Sequence, residues 1–192
     1  MPYTDNEIIG KIRSGSSQHF AKLVDRYKDA SFTLAVRMLK NREEAEEAAQ
    51  DAFVRAYNAL GKFEGTSSFK TWLYRIVYNV CLTRLAKRNE DVDIVDYDDE
   101  QEYDAVETSS TYSTDREFES NEMIALVKQS IDELPAKYAS ILTLWYFREL
   151  THDELCEVTQ QPLGTVKVQL FRARVLLRER LSKKLQTEKV MG

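Results

Sequence analysis

THDELCEVTQQPLGTVKVQLFRARVLLRERL, residues 151–181, is the stretch that decides the fold. Thr151 and Glu154 have the spacing of a capping box, so a short helix opens here and carries Leu155, Cys156 and Val158 on its inner side. Its pattern breaks over residues 160–164, around Pro162, and a longer basic helix follows. With Val166 centred on the buried side, Leu170, Ala173 and Leu177 share one stripe, while Lys167, Val168, Phe171, Arg172, Val175 and Arg178 turn outward. Helix, tight turn, helix is an arrangement whose second member fits the DNA major groove.

From Gly164 to Lys184 the second helix holds seven Lys or Arg and one acid, Glu179. Charge of that sign neutralises phosphates, and side chains near the helix start reach base edges. The candidate duplex-binding residues are Thr165, Lys167, Val168, Gln169, Phe171, Arg172, Arg174 and Arg178. A basic amphipathic helix is equally often a solvated face. The outward Val168 and Phe171, which a solvated helix has no reason to expose, favour contact with DNA.

Composition agrees with helices throughout. The 192 residues include three Pro and six Gly and are 43% hydrophobic, which predicts an all-α chain with enough apolar surface for two small cores. The net charge of -5 conceals a segregation. Residues 89–122 hold 14 Asp or Glu against Arg116 alone, which leaves a surplus of eight bases elsewhere. Like charges at that density repel and bury little, so residues 89–120 are expected to form a flexible acidic linker. Two helical domains, 1–88 and 121–186, flank it.

Several classes drop out. No run of about 18 apolar residues and no signal peptide is found, so a cytoplasmic protein with no membrane insertion is expected. Cys81 and Cys156 sit at apolar helical positions and are read as core residues. His19 and His152 stand alone, no glycine-rich phosphate loop exists, and DVDIVD (residues 91–96) lacks the glycine and terminal glutamate of a calcium loop. No enzyme, metal or cofactor is expected.

In the first domain, residues 5–14 and 17–40 have helical patterns. Asn41 and Glu44 suggest a capping box before a helix with Ala45, Ala49, Ala52, Phe53, Ala56 and Leu60 inward. After GKFEGTSS, with Ser67 or Ser68 as cap, a helix is predicted over residues 69–88 with Phe69, Leu73, Ile76 and Val80 inward. Thr71, Tyr74, Arg75, Tyr78 and Leu82 are expected on its other face. FEGTSSFKTWLYRIVYNVCLTRLAKR (residues 63–88) interleaves aromatic rings with cations, which suits unstacked bases: rings stack on them and cations hold phosphates. The competing reading is core, and Phe69 and Trp72 are read as structural first. Tyr74, Tyr78 and Asn79 remain the better binding candidates.

EEAEEAAQDAFVRAYNAL followed by FEGTSSFKTWLYRIVYNVCLTRL resembles sigma region 2, and LPAKYASILTLWYFRELTHDELCEVTQQPLGTVKVQLFRARVLLRERL resembles sigma region 4. The pair, in this order across an acidic linker, is similar to the extracytoplasmic-function (ECF, group 4) sigma factors of the sigma-70 family. That resemblance implies a subunit that directs core RNA polymerase to promoters by reading minus-35 and minus-10 elements. It implies docking on the β′ clamp helices through Glu47, Gln50, Asp51 and Arg55, and docking of the second domain on the β flap. It implies minus-10 recognition by a loop from Phe63 to Ser68 that captures a flipped base. Ser67, Lys70, Tyr74, Arg75, Tyr78, Asn79 and Arg84 belong to the same surface. An anti-sigma factor is implied as a partner. Lys167, Val168 and Gln169 depart from the small polar residue between two bases that many relatives carry, so the minus-35 sequence does not transfer; Val168 suits a thymine methyl. A linker lying in the polymerase's basic channel is a further expectation. A stand-alone helix-turn-helix regulator is the competing function; it accounts for residues 151–181 but not for the cationic aromatics of 63–88.

Overall fold

The computed structural model describes residues 3–88 and 117–191, with side chains placed over 3–88 and 123–186. The described residues form helices joined by short turns, with no strand among them. Helices α1 (Asp5–Arg13), α2 (Phe20–Leu39), α3 (Arg42–Ala59) and α4 (Phe69–Arg88) make one bundle; α5 (Glu117–Asp132), α6 (Ala136–Leu142), α7 (His152–Thr159) and α8 (Leu163–Met191) make the second.

The boundaries have local causes. Thr4 and Glu7 close a full capping box on α1. Asn41 Oδ1 accepts from Glu44 N at 3.0 Å and starts α3. Lys40, in the left-handed region at φ 54°, ends α2 with its N–H on Val36 O at 2.8 Å. Ser68 is the cap of α4, accepting from Thr71 N at 3.1 Å. Of the expected linker, residues 89–116 lie outside the described residues, and 117–120 already belong to α5.

In the first bundle Leu23, Leu34 and Met38 of α2 meet Leu73, Val77 and Cys81 of α4, all buried. Ala45, Ala48, Ala52 and Ala56 give α3 a smooth face that lets it approach both neighbours closely. In the second bundle Ile131, Leu142, Leu144, Leu155 and Val158 close over Val166, Leu170, Ala173 and Leu177 of α8, the stripe read from the sequence. Each such Leu or Ile contributes about 1.5–3 kcal/mol by leaving water.

Helix α4 departs from its expected facing. Phe69, Leu73 and Val80 are buried as read, and Ile76 is half-buried. Thr71, Tyr74 and Tyr78, expected outward, are also buried, because α4 is packed by α2 and α3 on one side and by α7 of the second bundle on another. After α6 the chain continues as a π turn, Thr143–Phe147, rather than as α-helix to Arg148, and Glu149 turns the chain at φ 53°.

Candidate nucleic-acid interface

Helix α8 of the second bundle is positioned by the turn before it. Thr151 Oγ1 accepts from Glu154 N at 3.2 Å, while the Glu154 carboxylate accepts from Thr151 N at 2.9 Å, the capping box expected from the sequence. Gln160 ends α7 at φ 56°, and Val166 N bonds Pro162 O at 3.0 Å as α8 begins. With the apolar stripe turned inward, Thr165, Lys167, Val168, Arg174 and Arg178 are exposed, Val168 by half its surface. Phe171 and Arg172 are half-buried. Gln169 is a correction. It is 5% exposed, adjoining Leu170 on the inner side, and is not part of the exposed face of α8. The Arg174 guanidinium lies over both Trp145 and Tyr146, at 5.7 and 5.8 Å, so its charge is held by aromatic faces of its own bundle. Arg180 and Lys184 pair with Glu133, the residue that follows α5.

In the first bundle the loop before α4 is pinned from below. Arg13 donates to Leu60 O at 3.3 Å and also to Phe63 O. Phe63 is buried against Phe69 and Trp72, with ring centroids at 6.1 and 5.0 Å, so it anchors the loop and does not present a ring to a base. Gly65, at φ 74°, takes a conformation that suits glycine and turns the loop outward. An open cleft of about 480 Å³ lies beside it, walled by Thr66, Ser67 and Ser68 on one side and by Thr4, Asp5 and Asn6 of the α1 start on the other. The α1 wall was not foreseen; nothing in the sequence signals that its N-terminus returns to this loop.

Two aromatic candidates do not stand. Tyr74 is 2% exposed, edge-on to Tyr27 at 6.3 Å, and Tyr78 is 7% exposed; burial pushes both phenols above their ordinary range. Their rings are packing groups. Asn79 is half-buried, and Arg84 Nη1 donates to Glu47 at 3.0 Å across to α3. Ser67, Lys70 and Arg75 are each half-buried and point toward the second bundle. Cys81 is buried, which pushes its thiol up to about 12, in keeping with a core role.

On α3, Glu47, Gln50 and Arg55 are exposed and Asp51 is half-buried, bonded to Arg55 Nε at 3.0 Å one turn on. Val54 and Tyr57, 59% and 44% exposed, stand on the same face. The sequence carried that signal, since neither falls on the alanine stripe. Exposed apolar groups among charges mark a protein-docking surface better than the charges do alone.

Residues 23–90 match the model for Sigma-70 region 2 and residues 124–177 that for Sigma-70, region 4. The chain is 35% identical over 185 residues to the RNA polymerase sigma-H factor of Pseudomonas aeruginosa, covering 95% of this chain and 94% of the relative. It is 36% identical over 181 residues to the ECF RNA polymerase sigma factor SigW of Bacillus subtilis, covering 90% and 94%. Among solved structures it resembles a chain of the complex of CnrH with the cytosolic domain of CnrY, with TM-score 0.63, 20% identity and coverage of 93% and 97%. A chain from the complex of the sigma factor RpoE with the anti-sigma factor NepR of Bartonella quintana gives TM-score 0.60, 22% identity and coverage of 85% and 96%. These likenesses show a shared fold. The chain belongs to the ECF sigma factors of the sigma-70 family: it is an RNA polymerase sigma factor, and the family acts in transcription initiation, not as enzymes. The stand-alone regulator is not favoured. No helix of the described residues is long and apolar enough to cross a membrane.

Proposed function

We propose that this sigma factor grips promoter DNA at two places, with α8 reading the minus-35 duplex and the loop before α4 holding the opened minus-10 strand. The observation that carries the reading is the asymmetry of α8: Val166, Leu170, Ala173 and Leu177 are buried, while Thr165, Lys167 and Val168 stand exposed at its start. Lys167 and Arg172 are placed for purine edges and phosphates, and the exposed Val168 suits a thymine methyl. At the other place the cleft beside Gly65 receives a flipped base, with Ser67 and Ser68 as hydrogen-bonding walls and Lys70, Arg75, Asn79 and Arg84 along the strand. Unstacking a base costs a few kcal/mol, which these contacts offset.

Core polymerase docks on α3 through its β′ clamp helices, with Val54 and Tyr57 supplying apolar contact between Glu47, Gln50, Asp51 and Arg55. The second bundle docks on the β flap. The acidic segment after α4 runs in the basic channel of the enzyme, so replacing it by neutral residues alters abortive synthesis. An anti-sigma factor covers the docking faces, and the protein works in the cytoplasm. The relatives' names support polymerase as the partner, and the two structural neighbours were solved with bound partner proteins.

The test is transcription by core polymerase plus the purified chain on a library of random promoters. Enrichment of two short elements about 25 positions apart is expected. Absence of any enriched template, with a known sigma factor active in parallel, overturns the reading.

A further inference from the structure

The two bundles touch through two groups of polar contacts. In the first, Arg37 of α2, 4% exposed, donates from Nε to Asp132 at 2.7 Å and from Nη1 to Thr143 Oγ1 at 2.9 Å, and lies 5.0 Å from the Phe147 ring. Lys40 Nζ adds a bond to Asp132 O at 2.7 Å. In the second, Ser67 Oγ donates to Glu157 at 2.6 Å, Thr71 Oγ1 to Glu154 at 2.7 Å, and Lys70 Nζ to Arg148 O at 3.1 Å. The Gln160 amide, turned so that its oxygen faces the guanidinium, accepts from Arg75 Nε at 3.2 Å.

The second group has one polarity throughout. Every donor lies on the loop and α4, and every acceptor lies on or beside α7: two carboxylates, a carbonyl and an amide oxygen. Hydroxyls, an ammonium and a guanidinium facing a row of oxygens is the chemistry by which a protein holds a phosphate backbone. The donors are the groups assigned above to the minus-10 strand, or in the case of Thr71 an immediate neighbour.

We propose that α7 acts as an internal mimic of the nucleic-acid backbone, holding the free protein in a closed state in which its own second bundle occupies the minus-10 strand site. The inference rests on the promoter reading above and specifies how that site is regulated. Geometry makes closure and promoter binding exclusive. Elements about 25 base pairs apart on a duplex rising 3.4 Å per pair are separated by roughly 85 Å. Bundles bonded to each other side chain to side chain do not span that distance. Opening frees Ser67, Lys70 and Arg75 from the oxygens on and beside α7, so promoter DNA competes directly with the latch. The Arg37 group, on α2 rather than on the loop or α4, sets how firmly the bundles close.

The full chain tests this. Asp132→Ala and Glu157→Ala combined remove one acceptor from each group without touching the strand-binding donors or the α7 capping box. Asp153→Ala, exposed on α7 and making none of these contacts, controls for the loss of charge. Solution X-ray scattering is expected to show the wild type and Asp153→Ala compact and the double variant expanded, with helix content by circular dichroism unchanged in all three. The double variant is expected to bind the non-template strand of a promoter recovered from the library about tenfold more tightly than the control. That is the factor by which a state open a tenth of the time masks its own affinity. A wild type as extended as the double variant overturns closure, and equal strand affinity in an expanded double variant overturns the mimicry. A chain that recovers no promoter fails the functional reading instead, and the mimicry with it, while scattering still decides closure.

Discussion

Helices α4 and α8 are both rich in cations and aromatic or aliphatic groups, and the inward stripe drawn on each from sequence is buried, Ile76 by half, yet the outward face drawn on α4 is buried too at Thr71, Tyr74 and Tyr78. The difference lies in how many neighbours each helix has. The first turns of α8 rest on their bundle through one side, Val166, Gln169, Leu170, Ala173 and Leu177, so the opposite side is open to polar groups. Helix α4 is packed by α2, α3 and α7, and buries Thr71, Tyr74 and Tyr78 as well as Phe69, Leu73, Val77, Val80 and Cys81. Periodicity reports one buried face well. It has no sharp signature when burial covers most of a helix, because tyrosine and threonine then serve as core and as surface alike.

The largest expected effect sharpens that contrast. Leu170→Ala leaves a cavity under α8 and is expected to lower stability by about 2–5 kcal/mol in urea unfolding. The exposed Val168→Ala, two residues earlier, is expected to change stability by no more than about 0.5 kcal/mol. Comparable losses from both substitutions break the one-sided picture of α8.

Next in size are effects on DNA. Lys167→Ala is expected to weaken minus-35 duplex binding by about 1–3 kcal/mol and to reduce the slope of log affinity against log salt by roughly one. Gln169→Ala is expected to leave affinity unchanged at matched stability, since that side chain faces inward; a tenfold loss at Gln169 reverses the assignment. On α4 the expectation is the opposite. Tyr78→Phe keeps the buried ring and should leave strand binding within twofold of wild type, and a tenfold drop in anisotropy titrations restores Tyr78 to the binding surface.

Smaller effects come from titratable groups. Thiol reagents at pH 8 are expected to modify the half-buried Cys156 and spare Cys81, whose thiol burial pushes up to about 12. Rapid reaction of both thiols means that α4 is less enclosed than its packing indicates. Glu154 is desolvated, which raises its pKa, but hydrogen bonds from Thr151 and Thr71 and the Lys70 charge outweigh this and hold it below the ordinary range. A depressed carboxylate contributes stability that is complete above its unfolded value of about 4.3 and is lost as pH falls through the lower folded value. Thermal unfolding from pH 6 to pH 3 is therefore expected to fall slightly more steeply for the wild type than for Glu154→Gln. Parallel profiles contradict it.

Much of the architecture was legible because its signals are local. Thr151 with Glu154, Pro162 and the Val166 stripe place the helix-turn-helix, and Asn41 and Ser68 mark the starts of α3 and α4. Local signals did not reveal what depends on contacts distant in the chain. Arg37 carries no local signal of burial on α2, yet it is 4% exposed and bonded to the second bundle's Asp132 and Thr143. Phe63 reads as a loop aromatic until Phe69 and Trp72 close over it. Asn6 and Ser67 lie 61 positions apart in sequence and share one cleft.

The most direct measurement pairs substitutions with the recognised sequence. Core polymerase and the random promoter library are combined in turn with the wild-type chain, Val168→Ala and Ser67→Ala, and the enriched templates are sequenced. The predicted result is a changed minus-35 preference for Val168→Ala with the minus-10 element intact, and the reverse for Ser67→Ala. Substitutions that alter neither element, or both together, contradict two separate points of grip on the promoter.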